Sequence, residues 1–367
     1  MNRTARSAIA LAAATALAAT AAVVAHAAPI DIGDDPIVIP KANTLWESMA
    51  WDSRGFVISE ATLFATGTVF DGAPYFYQSG EPNDPYEMDF ENDDAFDGAL
   101  AIFVSPDEAT PPSFYGMPDD YSYEVDLTSS GGDTVIQGPP EVLSGLRVSV
   151  QQRYYAAGDL ARAVATYTNP TAAPITVVTG AHSNYGSDDD TVLEGDSSGD
   201  GNVSEADRWI ITGDDGAYFD PIVTTAWAAP GASKLPDYAG LADPARLLLL
   251  DESTVAFLLT VQPGQTVHLG YFVKVHGFVM DEGEPAGPTG EPFSIGEGGE
   301  LAAAAVIADT YAAAVAAAVA DAAEFSTFTG RLTAGLAPGT VVLNWGTVPA
   351  APAGPATPVP ARPSFTG

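Results

Sequence analysis

Leu146–Gly180 reads LRVSVQQRYYAAGDLARAVATYTNPTAAPITVVTG. In LRVSVQQRYY, Leu146, Val148 and Val150 alternate with Arg147, Ser149 and Gln151. That period of two is the signature of a strand with one buried face. Ala156-Ala157-Gly158-Asp159 turns the chain and LARAVATYT (Leu160–Thr168) returns it. Asn169-Pro170-Thr171-Ala172-Ala173-Pro174 is a second turn, and Ile175–Gly180 is the next strand. The stretch predicts an antiparallel meander with the turn spacing of sandwiches and barrels. It sets the fold class: all-β, a large antiparallel β-sandwich.

The flanking sequence extends this pattern. Residues 29–55 are interrupted by Pro29, Pro36 and Pro40 and read as linker or edge strand. Phe56–Phe70 is β-rich and broken by Gly67, which predicts a strand pair, and Asp71–Asp97 is a long acidic loop. Ala99–Val104 is a short apolar strand and Tyr121–Leu127 alternates cleanly. Thr134–Gln137 follows a Ser129-Ser130-Gly131-Gly132-Asp133 turn. Downstream, Val223–Trp227, Leu247–Leu250, Thr254–Val261 and Thr266–His276 are further strands. Gln262-Pro263-Gly264-Gln265 joins the last two as a predicted hairpin. No strand is followed by a helix at βαβ spacing, which argues against a parallel α/β fold.

One Ala-rich segment, Leu301–Glu324, has strong helix propensity. Ile307, Tyr311, Val315 and Val319 recur every four residues, predicting one apolar stripe for docking on the sandwich or on a partner. The uncharged run between Asp309 and Asp321 is too short for a bilayer, which takes about 20 residues. The expected organisation is a signal peptide over 1–27, a β-sandwich over 28–279 and a Gly/Pro/Glu linker over 280–300. A helix and cap follow over 301–345, with Thr340–Trp345 as last strand or cap, and then a Pro-rich disordered tail over 346–367.

The signal-peptide reading rests on three features. Met-Asn-Arg-Thr-Ala-Arg opens the chain, Ala8–Val24 is apolar, and Ala25-His26-Ala27 offers small residues for cleavage. The expected location is therefore extracellular, cell-surface or periplasmic, with no membrane span in the mature chain. The 367 residues contain no cysteine, so stability must come from burial or ions rather than disulfides. The formal net charge is −35, against only 13 Lys and Arg. Such a surface repels nucleic acid and anionic lipid, which excludes both as partners, and it suits divalent cations or solubility alone.

The acidity peaks in Ser187–Asp220. Within it, Asp196–Asp207 (DSSGDGNVSEAD) places Asp196 at position 1 of a twelve-residue loop, Ser198 at 3, Asp200 at 5, Gly201 at 6, Asn202 at 7 and Asp207 at 12. Alternate oxygens on a tight loop converge on one point, glycine at 6 permits the bend, and hard oxygens suit Ca²⁺. The loop resembles the calcium loops of dockerins and EF-hands, which makes Ca²⁺ the candidate cofactor and Asp196, Ser198, Asp200, Asn202 and Asp207 its candidate ligands. The flanks, Thr191–Glu194 and Trp209–Thr212, look like strands rather than helices. The alternative is a β-hairpin whose tip is Gly199-Asp200-Gly201-Asn202.

Catalytic signals are sparse. No G-x-S-x-G, H-E-x-x-H or phosphate loop is present. Thr168-Asn169, Pro174, Val177 and His182-Ser183-Asn184-Tyr185 resemble a stretch of aldose 1-epimerases. That resemblance implies a supersandwich-type β fold and would place His182 at the ring oxygen of a sugar. A broader resemblance, over Asp94–Leu100, Leu143–Tyr155, Ala163–Pro174, Ser187-Asp188 and Ser197–Trp209, is to a group of uncharacterised secreted bacterial β-sandwich proteins, and it implies no activity. Tyr75, Phe76, Tyr77, Tyr86, Phe114, Tyr115, Tyr121 and Tyr123 lie in or beside polar loops, where they either stack on sugars or cap the sandwich ends. The expectation is a secreted, acidic, non-enzymatic β-sandwich protein of the cell surface or matrix, calcium-stabilised and binding a polysaccharide or another surface component. The alternative is a carbohydrate-active enzyme, epimerase- or lyase-like, using His182. An open cleft around His182 with a carboxylate in reach distinguishes the two.

Overall fold

The computed structural model describes residues 30–31, 36–41, 44–51, 55–63, 95–117, 123–156, 158–187, 191–214, 220–241, 252–278, 307–308 and 311–324. Beyond these it describes 328, 331–332, 334–336 and 340–346. The expected signal peptide, the loop over 71–94, the strand Leu247–Leu250, the linker over 280–300 and the tail beyond 346 lie outside the described residues.

The strands are, in chain order, β1 (Ile30–Asp31), β2 (Ile37–Pro40), β3 (Thr44–Trp51), β4 (Gly55–Leu63), β5 (Gly98–Ser105), β6 (Ser113–Phe114), β7 (Glu124–Ser130), β8 (Asp133–Gln137), β9 (Glu141–Leu143) and β10 (Leu146–Tyr154). They continue with β11 (Leu160–Thr168), β12 (Ile175–Asn184), β13 (Thr191–Asp196), β14 (Trp209–Asp214), β15 (Ile222–Ala226), β16 (Tyr238–Leu241), β17 (Glu252–Val261), β18 (Thr266–Phe278) and β19 (Ile307–Ala308). One helix, α1 (Tyr311–Glu324), follows. Two sheets form. The larger has 11 strands in the order β1-β7-β8-β10-β11-β18-β15-β14-β13, with β9 on β10 and β19 on β18. The smaller has 8, ordered β16-β17-β12-β5-β4-β3-β2, with β6 on β5. The chain is an all-β, predominantly antiparallel sandwich.

The β10–β11 hairpin matches its sequence pattern, with Arg147 opposite Thr168 and Tyr154 opposite Ala161. Leu146, Val148 and Val150 are buried, as the alternation requires. The next two turns differ from expectation. β11 lies in the larger sheet and β12 in the smaller, so 169–174 crosses between sheets instead of continuing a meander. β17 and β18 are likewise in different sheets, so Gln262–Gln265 is no hairpin but a second crossing. Asn169 binds the two corners together. Its side-chain amide donates to Ala173 O and Val261 O, both at 2.8 Å. Its backbone N–H donates to Gln265 O, and its carbonyl accepts from Gly264 N. Pro170 and Pro174 have no N–H to offer, so the asparagine amide supplies the missing donors.

The N-terminal segment also departs from its reading as linker or edge. β2 is an edge, but β3 lies inside it, and Trp46, Ser48 and Ala50 are buried. The proline-based reading missed that alternation. Between the sheets lies one core, which includes Trp46, Phe56, Phe96, Tyr154, Tyr167, Phe257 and Tyr271.

A second apolar cluster covers the outer face of the larger sheet. Leu160, Trp209, Ile211, Ile222, Ala226 and Phe272 meet Ala314, Ala318 and Ala322 of α1, and Phe328, Leu332 and Trp345 beyond it. The buried helix face is therefore the alanine row, not the predicted Ile307–Val319 stripe. Ile307 is in a strand, Tyr311 and Val315 are half-buried, and Val319 is 38 % exposed. Alanine lets the helix axis approach the sheet closely, which the larger residues would prevent. Polar contacts fix the segment. Arg162, fully buried, donates from Nη1 to Arg331 O and Leu332 O and from Nη2 to Ala334 O and Gln151 Oε1. Lys274 pairs with Asp321, and Asn344 bonds Trp227 O and both backbone groups of Gly270. Among the described residues, no helix is long and apolar enough to cross a membrane.

Candidate functional site

β13 and β14 pair antiparallel from Thr191–Asp214 to Asp196–Ile210 at the edge of the larger sheet. The acidic loop is thus the tip of a β-hairpin, as the strand-like flanks predict. Both ends of the loop carry a buried carboxylate. Asp196 Oδ1 accepts from Ser198 N (2.8 Å), Gly199 N (2.5 Å), Asp200 N (3.3 Å) and the Ser198 hydroxyl (2.6 Å). Its Oδ2 accepts from Gly201 N at 2.7 Å. Asp207 Oδ1 accepts from Ser198 N (2.9 Å) and the Ser197 hydroxyl, and its Oδ2 from Ser204 N and hydroxyl. Burial pushes the Asp196 carboxyl up, but the Ser198 hydroxyl and the N–H groups of Gly201, Gly199 and Asp200 outweigh it and hold it below the ordinary value.

Of the five predicted calcium ligands, Asp196, Ser198 and Asp207 come together. Asp200 and Asn202 instead bond each other at the exposed tip, Asn202 N to Asp200 Oδ1 and Asn202 Nδ2 to Asp200 O. Both inner carboxylates are engaged by the loop's own donors, so the hairpin tip is closed by hydrogen bonds. Ca²⁺ takes about six to eight oxygens, and a full shell here would require Asp200 and Asn202 to turn inward. Among the described residues, no group of three or more His, Cys, Asp or Glu side chains is placed to hold a metal ion.

His182 lies on β12. Residues of alternate parity face opposite ways, so Val177 and Ala181 join the core while Val178 joins Phe103 and Ala256 on the outer face. His182 and Asn184 share that outer face. His182 Nδ1 is 3.1 Å from the Thr254 hydroxyl on β17, and Nε2 is 3.7 Å from Glu252 Oε1. The Phe114 ring stands edge-on to the imidazole at 6.2 Å. A carboxylate is within reach, but His182 is only 8 % exposed and Glu252 9 %, so among the described residues no open cleft surrounds the pair. Sequence reasoning did not find Glu252, because only strand register brings it beside His182.

The other two described histidines have the same kind of partner. His268 Nδ1 lies 2.9 Å from the Thr166 hydroxyl, and His276 Nε2 lies 3.2 Å from the Thr224 hydroxyl. Burial lowers the pKa of both; burial and the Lys274 charge push His276 down to about 3. The loop aromatics divide. Tyr115 and Tyr123 are buried, pack edge-on to each other at 6.2 Å and flank Phe56, so they cap the sandwich. Phe114 is half-buried on the outer face, and Tyr75, Phe76, Tyr77, Tyr86 and Tyr121 lie outside the described residues. A cavity of about 10 Å³ between Leu100, Trp227 and Tyr271 has room for one water molecule.

No protein-family model matches the chain, and no curated protein matches it. Solved structures with a similar arrangement include a polysaccharide lyase, at 14 % identity over 65 % of this chain and 33 % of that one, TM-score 0.33. A galactose mutarotase-like protein from Lactobacillus casei is 11 % identical over 66 % of this chain and 100 % of that one, TM-score 0.37. A putative aldose 1-epimerase from Escherichia coli K12 is 10 % identical over 66 % of this chain and 99 % of that one, TM-score 0.35. The chain spans a third of the length of the lyase it matches. Likenesses this distant carry nothing about substrate or chemistry.

Proposed function

We propose that the chain is an exported, non-catalytic β-sandwich protein of the cell surface or matrix that binds a polysaccharide or another surface component. One observation supports the non-catalytic part: His182 and Glu252, the pair a sugar-processing site would use, are only 8 % and 9 % exposed. A general base needs a nitrogen that substrate can reach. The basic, apolar, Ala-His-Ala-terminated start supports export. The enzyme alternative keeps one point in its favour, the Glu252 carboxylate beside His182. Assays of sugar mutarotation and of polysaccharide cleavage decide between them, on the wild type and on His182→Ala. The expected outcome is no turnover that depends on His182; turnover lost in His182→Ala overturns the proposal. A glycan array, run with and without calcium, identifies the partner.

Calcium at Asp196–Asp207 is the second part of the reading. It is favoured by the carboxylates of positions 1 and 12, which reach the same Ser198 N–H from two sides. A cation drawn to that point would replace some of the N–H contacts and recruit Asp200 and Asn202. Its affinity would be modest, on the order of 10⁻⁴–10⁻³ M as in extracellular modules. Calorimetry in millimolar Ca²⁺ and in EDTA tests it. A higher melting temperature in Ca²⁺, lost in Asp207→Asn, is expected, and identical melts remove the ion.

A further inference from the structure

We infer that the outer face of the smaller sheet holds a divalent transition-metal ion, liganded by His182 Nε2, the Glu252 carboxylate and Asn184 Oδ1. Strand register assembles the three. Asn184 stands directly opposite Glu252, and His182 directly opposite Thr254, on the β12–β17 ladder. Directly opposed side chains have Cβ atoms about 5 Å apart, and diagonal neighbours remain within reach of long side chains.

Two acceptors in this corner lack a donor. Glu252 Oε2 and Asn184 Oδ1 are both buried without a hydrogen-bond partner. Asn184 is 2 % exposed, and its Nδ2 donates to Asp97 Oδ2 at 2.8 Å. That bond fixes the amide orientation and leaves the carbonyl oxygen for something else. A buried acceptor left unpaired costs about 1–3 kcal/mol, and two of them side by side indicate a shared positive or donor ligand.

The imidazole points the same way. In the tautomer whose Nδ1–H donates to the Thr254 hydroxyl, Nε2 carries a lone pair on the side of Glu252. At 3.7 Å, Nε2 and Oε1 are too far apart for a hydrogen bond. Metal–ligand bonds of about 2.1 Å set a nitrogen and an oxygen about 3.4 Å apart at the tetrahedral angle and about 3.6 Å at 120°. The hydroxyl on the remote nitrogen is the kind of outer contact that orients a ligating histidine. One nitrogen and two oxygens favour a borderline ion such as Zn²⁺ over Ca²⁺. The third ligand is an amide, so the site lacks a trio of ionisable ligands, and a water completes the shell. The Phe114 ring shields one side. This site goes beyond the proposed function and stands or falls separately from it.

The test is titration of Zn²⁺ alone into the chelator-stripped full chain, with millimolar Ca²⁺ present to occupy the acidic surface. One saturable site is expected, weakened about tenfold or more in Glu252→Gln and unchanged in Asp196→Asn. Glu252→Gln is nearly isosteric, and a metal-free melting temperature like that of the wild type confirms that it folds. Co²⁺ in place of Zn²⁺ should give visible ligand-field absorption in the wild type and lose it in His182→Ala. Absence of saturable Zn²⁺ binding overturns the inference and leaves a buried water on these acceptors. Equal binding in wild type and Glu252→Gln places the ion elsewhere and overturns it as well.

Discussion

At the residue scale, Asn169 shows how much one side chain can decide. Two loops cross between the sheets side by side, and its amide closes both by donating to Ala173 O and Val261 O. Asn169→Ala leaves Val261 O without its side-chain donor in a buried site, at about 1–3 kcal/mol, whereas the exposed Ala173 O keeps the Thr171 hydroxyl. The expected loss is about 1–3 kcal/mol in urea unfolding, and Asn169→Asp should fare no better, because a carboxylate cannot donate. A loss under about 1 kcal/mol in both variants would show that the corners hold without it. His276 sets a pH dependence. Its folded pKa of about 3 lies below the unfolded value of 6.5, so the unfolded chain binds the proton first as pH falls. The contribution is complete above pH 6.5 and declines toward 3, with a slope of up to about 1.4 kcal/mol per pH unit. Asp196, whose pKa is also depressed, works in the same direction. Stability of His276→Gln measured from pH 7 to pH 4 should fall less steeply than that of the wild type; parallel curves would assign the slope to carboxylates alone.

At the element scale, helix α1 separates what pattern can and cannot reveal. Its existence and C-terminal end, Glu324, were legible from composition. Its buried face was not, because a hydrophobicity pattern ranks Val above Ala, whereas close packing on a sheet of Trp209, Ile211 and Phe272 selects the smallest side chain. Strands show the same limit. Leu146, Val148 and Val150 announce a face, but nothing in β11 or β12 says that consecutive strands belong to different sheets. The acidic hairpin was readable from its flanks, whereas the inward turn of Asp196 and Asp207 depends on which backbone N–H groups the loop presents. The helix yields a direct comparison. Ala318→Leu places added methylenes against a full interface and should cost about 1–3 kcal/mol. Val319→Ala, at a residue 38 % exposed, should stay within about 0.5 kcal/mol. Thermal melts that ranked the two in the opposite order would restore the predicted stripe.

At the scale of the whole molecule, the sandwich has two faces with different fates. The outer face of the smaller sheet carries the His182 corner, whose partners Glu252 and Asn184 only the register could reveal. The outer face of the larger sheet is covered by the chain's own C-terminal segment. Apolar burial drives that cover, and Arg162 gives it one position, since four donors in a fixed fork meet three carbonyls of 331–334 and Gln151 Oε1. Removing the fork leaves Leu332 O without its donor, while Arg331 O keeps the Tyr155 hydroxyl, Ala334 O keeps the Arg153 guanidinium, and the aromatic contacts of Phe272 with Phe328 and Trp345 remain. Arg162→Met keeps most of the apolar stem, so the sandwich core should stay folded while the cover loosens. Hydrogen exchange should then rise across 311–345 by about tenfold or more, the equivalent of about 1.4 kcal/mol of local stability, with β10, β11 and β12 still protected. Uniform loss of protection over both regions would instead make cover and sandwich a single cooperative unit, with Arg162 part of the core rather than a latch upon it.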